Sequence, residues 1–261
     1  MHAWLCENPV GAEALAWKEL PTPEPKAGEV RVAIRAASLN FPDLLIVQNK
    51  YQMKPPLPFV PGSEYSGVVE AVGADVTHLK PGDAVAAFGG TGGFATHACV
   101  AASLVLPLPA GFAFDDAAAF ILTYGTTHHA LLDRGALKAR ETLLVPGAAG
   151  GVGTAAIQIG KTACAHVIAA ASRAEKLELC KAIGADATIN YATGNLRDEL
   201  KALTGGKGPD VVYDPVGGDL AEPVFRSIGW RGRYLVVGFA QGGIPALPLN
   251  LATRKGAAIV V

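Results

Sequence analysis

The run Val145-Pro146-Gly147-Ala148-Ala149-Gly150-Gly151-Val152-Gly153 holds the residues whose types and spacing say most about chemistry. The apolar stretch before it, Thr142 to Val145, reads as a strand, and the small and aliphatic stretch after it, Thr154 to Lys161, reads as a helix. Strand, glycine-rich turn and helix together make a phosphate site. Glycines let the backbone turn sharply and approach a pyrophosphate, while free amides and the positive dipole end of the helix face its charge. Ala148, Gly150 and Gly153 fall on the spaced positions of the dinucleotide fingerprint, with Ala at the first, and Gly151 and Val152 complete the turn. The bland alternative is a glycine turn between two packed elements; the strand–helix alternation downstream argues against it.

A second polar set ends the next strand, in Ala170-Ala171-Ser172-Arg173-Ala174-Glu175-Lys176. A site for an unphosphorylated ribose usually presents a carboxylate at that tip. Here Ser172 and Arg173 hold it and Lys176 lies one turn on, a hydroxyl and two cations suited to a 2′-phosphate. Alternatively Arg173 and Lys176 form a solvated helix face, although cations at a helix start run against its dipole. NADPH is favoured over NADH as the cofactor. No G-x-S-x-G, H-E-x-x-H or paired-carboxylate motif occurs. Hydride transfer needs none, because the nicotinamide carries the hydride. His128 and His129 are adjacent, so on a helix they point apart and do not readily share a metal.

The elements that must position these groups fall into two regions. To about Ala110 the chain reads as β-rich, with strands at Val30 to Ala36, Tyr65 to Val72 and Asp83 to Phe88, and prolines crowding the loops between. Asp115 to Leu132 is alanine-rich, opens on the acids Asp115 and Asp116, and carries the chain into the second region. Beyond Leu143, strands at Val167 to Ala171, Ala187 to Asn190, Val211 to Asp214 and Tyr234 to Val237 alternate with helices at Glu175 to Ile183 and Leu196 to Leu203. That order predicts a parallel sheet wound with helices on both faces. Ala257 to Val261 reads as a sixth strand, and a further C-terminal segment is expected beyond it.

The composition suits this picture. The chain has 261 residues, 50% hydrophobic and 17% charged, with a net charge of −1. Nothing in it points to nucleic acid or a membrane as partner, and no basic, signal-like start is present. Cys6, Cys99, Cys164 and Cys180 are scattered without a C-x-x-C pair, which reads as reduced residues of a cytoplasmic protein rather than a disulfide set or zinc site.

Motifs along nearly the whole chain resemble the zinc-free medium-chain dehydrogenase/reductases, close to the quinone oxidoreductases that include zeta-crystallin. They are Ser38-Leu39-Asn40-Phe41-Pro42-Asp43, Phe59 to Gly67, Pro81-Gly82-Asp83, Tyr124-Gly125-Thr126, the glycine turn, Gly184-Ala185-Asp186, Asn190-Tyr191 and Asp214-Pro215-Val216-Gly217-Gly218. The resemblance implies a GroES-like β-rich domain over 1–122, incomplete without a returning C-terminal segment, and a Rossmann domain over 123–261, with the active cleft between them. It implies that Ser172, Lys176 and Tyr191 contact the 2′-phosphate of NADPH, and it extends the cofactor set to Gly217, Gly238 and Phe239.

The resemblance also places Asn40, Asp43 and Tyr51 at the cleft and turns Thr126 toward the nicotinamide. Each has a plainer reading: Asp43 as a helix cap, Tyr51 as a loop aromatic, Thr126 as a helix residue bonded to its own backbone. Glu64 is read as bracing the cleft and not as a general base. Zinc members of the superfamily carry a ligating His where Ser63 stands, and a hydroxyl is a poor zinc ligand. The implied activity is zinc-independent, NADPH-dependent reduction of a small electrophile, a quinone or an α,β-unsaturated carbonyl, by a homodimer. An enoyl-thioester reductase and a non-catalytic NADPH-binding protein are the alternatives.

Overall fold

The computed structural model describes all of residues 1–261, and the chain divides into two units, Met1–Leu122 and Thr123–Val261. The first unit contains β1 (His2–Leu5), β2 (Ala16–Glu19), β3 (Glu29–Ala37), α1 (Phe41–Val47), β4 (Glu64–Val72), β5 (Ala84–Phe88), β6 (His97–Ala101), β7 (Val105–Pro107) and α2 (Phe114–Ala118). β6, β3, β4, β5 and β7 form an antiparallel sheet in that order, and β1 and β2 form a separate antiparallel pair. Alternate residues of β3 and β4, Val30, Val32, Tyr65 and Val69, bury one face with Val85, Ala98 and Val100. Trp4, Trp17, Leu39, Phe41 and Leu44 are exposed and line an apolar groove of about 800 Å³ in this unit.

The second unit is a parallel sheet wrapped by helices. Its elements are α3 (Ile121–His128, entered from the last residues of the first unit), β8 (Thr142–Pro146), α4 (Gly151–Thr162), β9 (His166–Ala171), α5 (Ala174–Ala182), β10 (Ala187–Asn190), α6 (Leu196–Leu203), β11 (Val211–Asp214), α7 (Gly218–Ser227), β12 (Arg233–Val236), α8 (Leu249–Lys255) and β13 (Ala258–Val260). The strand order is β10-β9-β8-β11-β12-β13, with every pairing parallel. Both faces are buried. Leu143, Val145, Val167, Ala169, Val211 and Tyr213 point to one core, and Leu144, Ile168, Ala170, Val212 and Tyr234 to the other. That double burial is why the strands read as nearly unbroken apolar runs.

The amino edge of this sheet is tied by Asp186, whose carboxylate accepts Lys161 Nζ at 2.7 and 2.8 Å and the Val167 amide at 2.7 Å. Burial pushes its carboxyl up, but the bonds from Lys161 and Val167 and the charges of Lys161 and His166 outweigh this and hold it below the usual carboxylate range. A depressed folded-state value adds stability above the unfolded value, near 3.8, that is lost as pH falls through the folded one. Asp186→Asn is therefore expected to flatten the acid limb of a urea-midpoint against pH curve. An unchanged limb contradicts this.

Candidate functional site

β8 lies at the middle of the parallel sheet, with β9 on one side and β11 on the other. Strand order reverses there, and ligands of such sheets bind beyond the carboxyl ends of the strands at this point. The glycine turn leaves β8 at that edge. Gly147 has φ 62°, and a side chain on it would press a Cβ to 2.6 Å from Val216 Cγ2. A Cβ on Gly153 would lie 2.6 Å from the Gly147 carbonyl oxygen and 2.7 Å from that of Ala148. The fold itself demands these two glycines.

Gly150 is different. It is the exposed N-cap of α4 with φ −82°, and a Cβ there would meet only the Gly147 oxygen at 3.4 Å. No side chain caps α4, and the amides of Gly151, Val152 and Gly153 have no acceptor in the chain. The turn is a cradle of unpaired donors beside a glycine with no internal reason to be glycine. Ala148 is buried and its amide bonds the Ala170 carbonyl at 3.1 Å, so its place is in the packing of the turn.

At the carboxyl ends of β9 and β10, Asn190 pairs with Ala171, and the Tyr191 amide donates to the Ala171 carbonyl at 3.1 Å. This brings Tyr191 beside Ser172 and Arg173. Arg173 caps α5, and its guanidinium pairs with Glu175 at 3.0 Å, both side chains about two-thirds exposed. Glu175, in the first turn of α5, engages Arg173 and leaves Ser172 at the strand tip. Lys176 is half-buried and makes no ion pair.

Gly217, Gly238 and Phe239 meet at the carboxyl ends of β11 and β12. Gly217 has φ 64°, and a Cβ on it would lie 2.8 Å from Phe239 Cδ1, while one on Gly238 would lie 3.3 Å from the Pro215 oxygen.

In the first unit, half-buried Asn40 and buried Asp43, Ser63 and Glu64 form one network. Asn40 caps α1, and Asp43 Oδ2 accepts the Asn40 amide at 2.9 Å, the capping role foreseen as its plainer reading. Asp43 Oδ1 also accepts the Ser63 amide at 2.9 Å and the Ser63 hydroxyl. Burial raises the Asp43 carboxyl above its ordinary value against these bonds. Asn40 Nδ2 donates to Ser38 Oγ at 2.8 Å and to Glu64 Oε2 at 3.4 Å. Glu64 further accepts Ser38 Oγ at 3.0 Å and the Leu122 amide at 3.0 Å. Tyr51 packs its half-buried ring against Cys6, Ile46, Val47 and Phe59.

Thr126 is exposed on α3 and lines a cavity of about 230 Å³ with His129, Leu235 and Val237. The hydroxyl that bonds its own helix belongs to the next residue. Thr127 Oγ1 donates to the Thr123 carbonyl at 2.7 Å, lies 2.8 Å from the Tyr213 hydroxyl, and reaches the Val152 carbonyl at 3.3 Å. His129 pairs with Asp133 at 2.9 Å. Thr127, Tyr213, Ser38 and the pair Asp214–Tyr234 were not singled out as site residues by the sequence; the motifs beginning at Ser38 and Asp214 were the signals present.

By the resemblance, Ser63 stands where zinc members carry a ligating His. Its hydroxyl is committed to Asp43, and no three His, Cys, Asp or Glu side chains gather to hold an ion. These residues do not fit a zinc site.

Two family models match the chain: an alcohol dehydrogenase GroES-like domain over residues 26–110 and a zinc-binding dehydrogenase over residues 151–261. The quinone oxidoreductase-like protein 2 homolog of Nematostella vectensis is 38% identical over 99% of this chain and 71% of its own length. Quinone oxidoreductase-like protein 2 of Rattus norvegicus is 41% identical over 87% of the chain, a match that spans 65% of the rat protein. Among solved structures, Escherichia coli quinone oxidoreductase complexed with NADPH superposes with a TM-score of 0.89 at 32% identity, over 99% of this chain and 78% of that one. With a GroES-like unit, a Rossmann unit and relatives of this similarity, the chain belongs to the quinone oxidoreductase family of the medium-chain dehydrogenase/reductase superfamily.

Proposed function

We propose that the protein is an NADPH-dependent, zinc-independent reductase of a quinone or an α,β-unsaturated carbonyl. The observation that carries this reading is the turn at Gly150, where unpaired amides surround a position that a side chain could occupy without disturbing the fold. A pyrophosphate fits that cradle by charge and by its need for close backbone approach. Ser172, Lys176 and Tyr191, beyond β9 and β10, hold the 2′-phosphate, with Arg173 shared with Glu175. Gly217, Gly238 and Phe239 shape the edge that receives the nicotinamide half. When bound, NADPH supplies a hydride. The chain's part is to orient it and exclude water, with Thr126 lining the nicotinamide side. The open edge of β13 serves pairing of two copies.

Steady-state NADPH oxidation with a panel of quinones and enones tests the reading, with Gly150→Val as background. Turnover no higher than that background overturns it.

Lys176→Ala is expected to weaken NADPH by about 10-fold or more, from loss of a charge-assisted bond worth about 1.5–3 kcal/mol. NADH should change little; equal losses for both cofactors contradict the assignment. A strong chelator should leave turnover intact. Stoichiometric zinc whose removal abolishes activity contradicts the zinc-independent reading.

A further inference from the structure

β11 ends at Asp214, and its carboxylate is held from two sides. Oδ1 accepts the amides of Val216 at 2.8 Å and Gly217 at 3.0 Å. Oδ2 accepts the phenol of Tyr234 on the neighbouring strand β12. Asp214 is 3% exposed and Tyr234 1%. The register pairs Val212 with Tyr234, so Tyr234 and Asp214 lie on the same face of adjacent strands, two positions apart.

The turn that Asp214 shapes is bound to the segment after β12. The Asp214 carbonyl accepts the Val237 amide at 2.9 Å, the Pro215 carbonyl that of Ala240 at 3.1 Å, and the Val216 carbonyl that of Gln241 at 3.0 Å. Gly217 lies against the Phe239 ring, and Val216 against Gly147 of the phosphate turn. These hydrogen bonds run to the segment after β12, so a shift of the Asp214 turn moves Gly217 and Phe239 first.

The Tyr234 ring packs edge-on against Phe225, centroids 5.5 Å apart. A phenylalanine would fill that space equally well, so packing does not account for the hydroxyl. Burial, with the Asp214 charge beside it, pushes the phenol far up, which keeps it a donor wherever the protein is folded.

We propose that Tyr234 is a positioning residue acting through Asp214: its phenol fixes the carboxylate that shapes the 214–218 turn, and that turn sets Gly217 and Phe239 for the nicotinamide half of the cofactor. This rests on the NADPH reading above. Adenosine phosphates bind over the other half of the sheet, around Ser172 and Lys176, so the two halves can be read separately.

The test is calorimetric titration of wild type, Tyr234→Phe and Asp214→Ala with NADPH and with 2′,5′-ADP, which carries the adenosine half alone. Tyr234→Phe is expected to weaken NADPH about 3- to 10-fold, the loss of one hydrogen bond, and to leave 2′,5′-ADP within about 2-fold. Asp214→Ala should show a larger loss with the same selectivity, and Asp214→Asn, which keeps an oxygen for the two amides, should recover part of it. Asp214→Ala and Asp214→Asn carry the test if Tyr234→Phe does not fold. Parallel losses for both ligands mean a general structural role and overturn the proposal, as does no loss at all. Failure of wild type to bind either ligand overturns the cofactor reading, and this inference with it.

Discussion

Gly150→Val is expected to abolish useful NADPH binding in a protein that remains folded. The valine Cβ meets only one backbone oxygen, at 3.4 Å, and φ −82° is open to any residue. Replacing Gly by Val at a helix N-cap costs about 1 kcal/mol, small beside a net stability of roughly 5–15 kcal/mol. The branched side chain instead fills the space a pyrophosphate must enter and separates it from the amides of Gly151 to Gly153. Losing two charge-assisted bonds at about 1.5–3 kcal/mol each implies a loss of at least about 100-fold. Gly153→Ala is the contrasting variant. Its Cβ would lie under 3 Å from two backbone carbonyls, so the expected loss is in thermal stability. Undiminished NADPH affinity in a folded Gly150→Val protein places the phosphate site elsewhere.

Glu64→Ala is expected to give the largest loss of stability. Glu64 is fully buried, and its carboxylate is the acceptor for Ser38, Asn40, Leu122 and Ile121. Alanine strands these half-buried donors, at about 1–3 kcal/mol for each left unpaired. With hydration of the half-buried donors and non-additivity the total is still several kcal/mol, a large part of a domain's stability. Glu64→Gln keeps an oxygen and the volume and should cost far less. Burial, opposed by hydrogen bonds from Leu122, Ser38, Asn40 and Ile121, leaves the Glu64 carboxyl above its ordinary value near 4.5. The sign follows: a raised folded-state value means stability is lost as pH rises through it. Glu64→Gln lacks this dependence, so its deficit against wild type should shrink as pH rises through that range. Urea midpoints measured across pH check both statements, and an alanine variant as stable as wild type contradicts the first.

The parallel sheet was legible because its strands are buried on both faces and punctuated by glycines. Ala187–Asn190, Leu196–Leu203 and Val211–Asp214 run between the ends expected of them. Helices with poor formers were not. α4 begins at Gly151, before the Thr154 expected, because tertiary packing against β8 outweighs the low propensity of glycine. α7 was passed over because Pro223 stands inside it and forfeits one backbone bond. β1 and β2 were hidden by short length and by Trp4 and Trp17, which face solvent.

The glycine turn was legible as a strand–turn–helix junction because its residue types alone mark it. Side-chain partners were not legible where they come from strand register or helix face. Tyr234 reaches Asp214 only through the β11–β12 pairing, and Arg173 meets Glu175 only once α5 forms. On α3 the sequence singled out Thr126, while the buried hydroxyl is that of Thr127, because the inward face is set by Val152 and Tyr213.

The central claim is that this chain reads the 2′-phosphate of its cofactor at the β9–β10 edge and the pyrophosphate at the Gly150 turn. Calorimetric titration of the protein with NADPH and with NADH tests it most directly. The expected result is one equivalent of NADPH per chain, bound at least about 10-fold more tightly than NADH. Equal affinities, or no binding of either, contradict it.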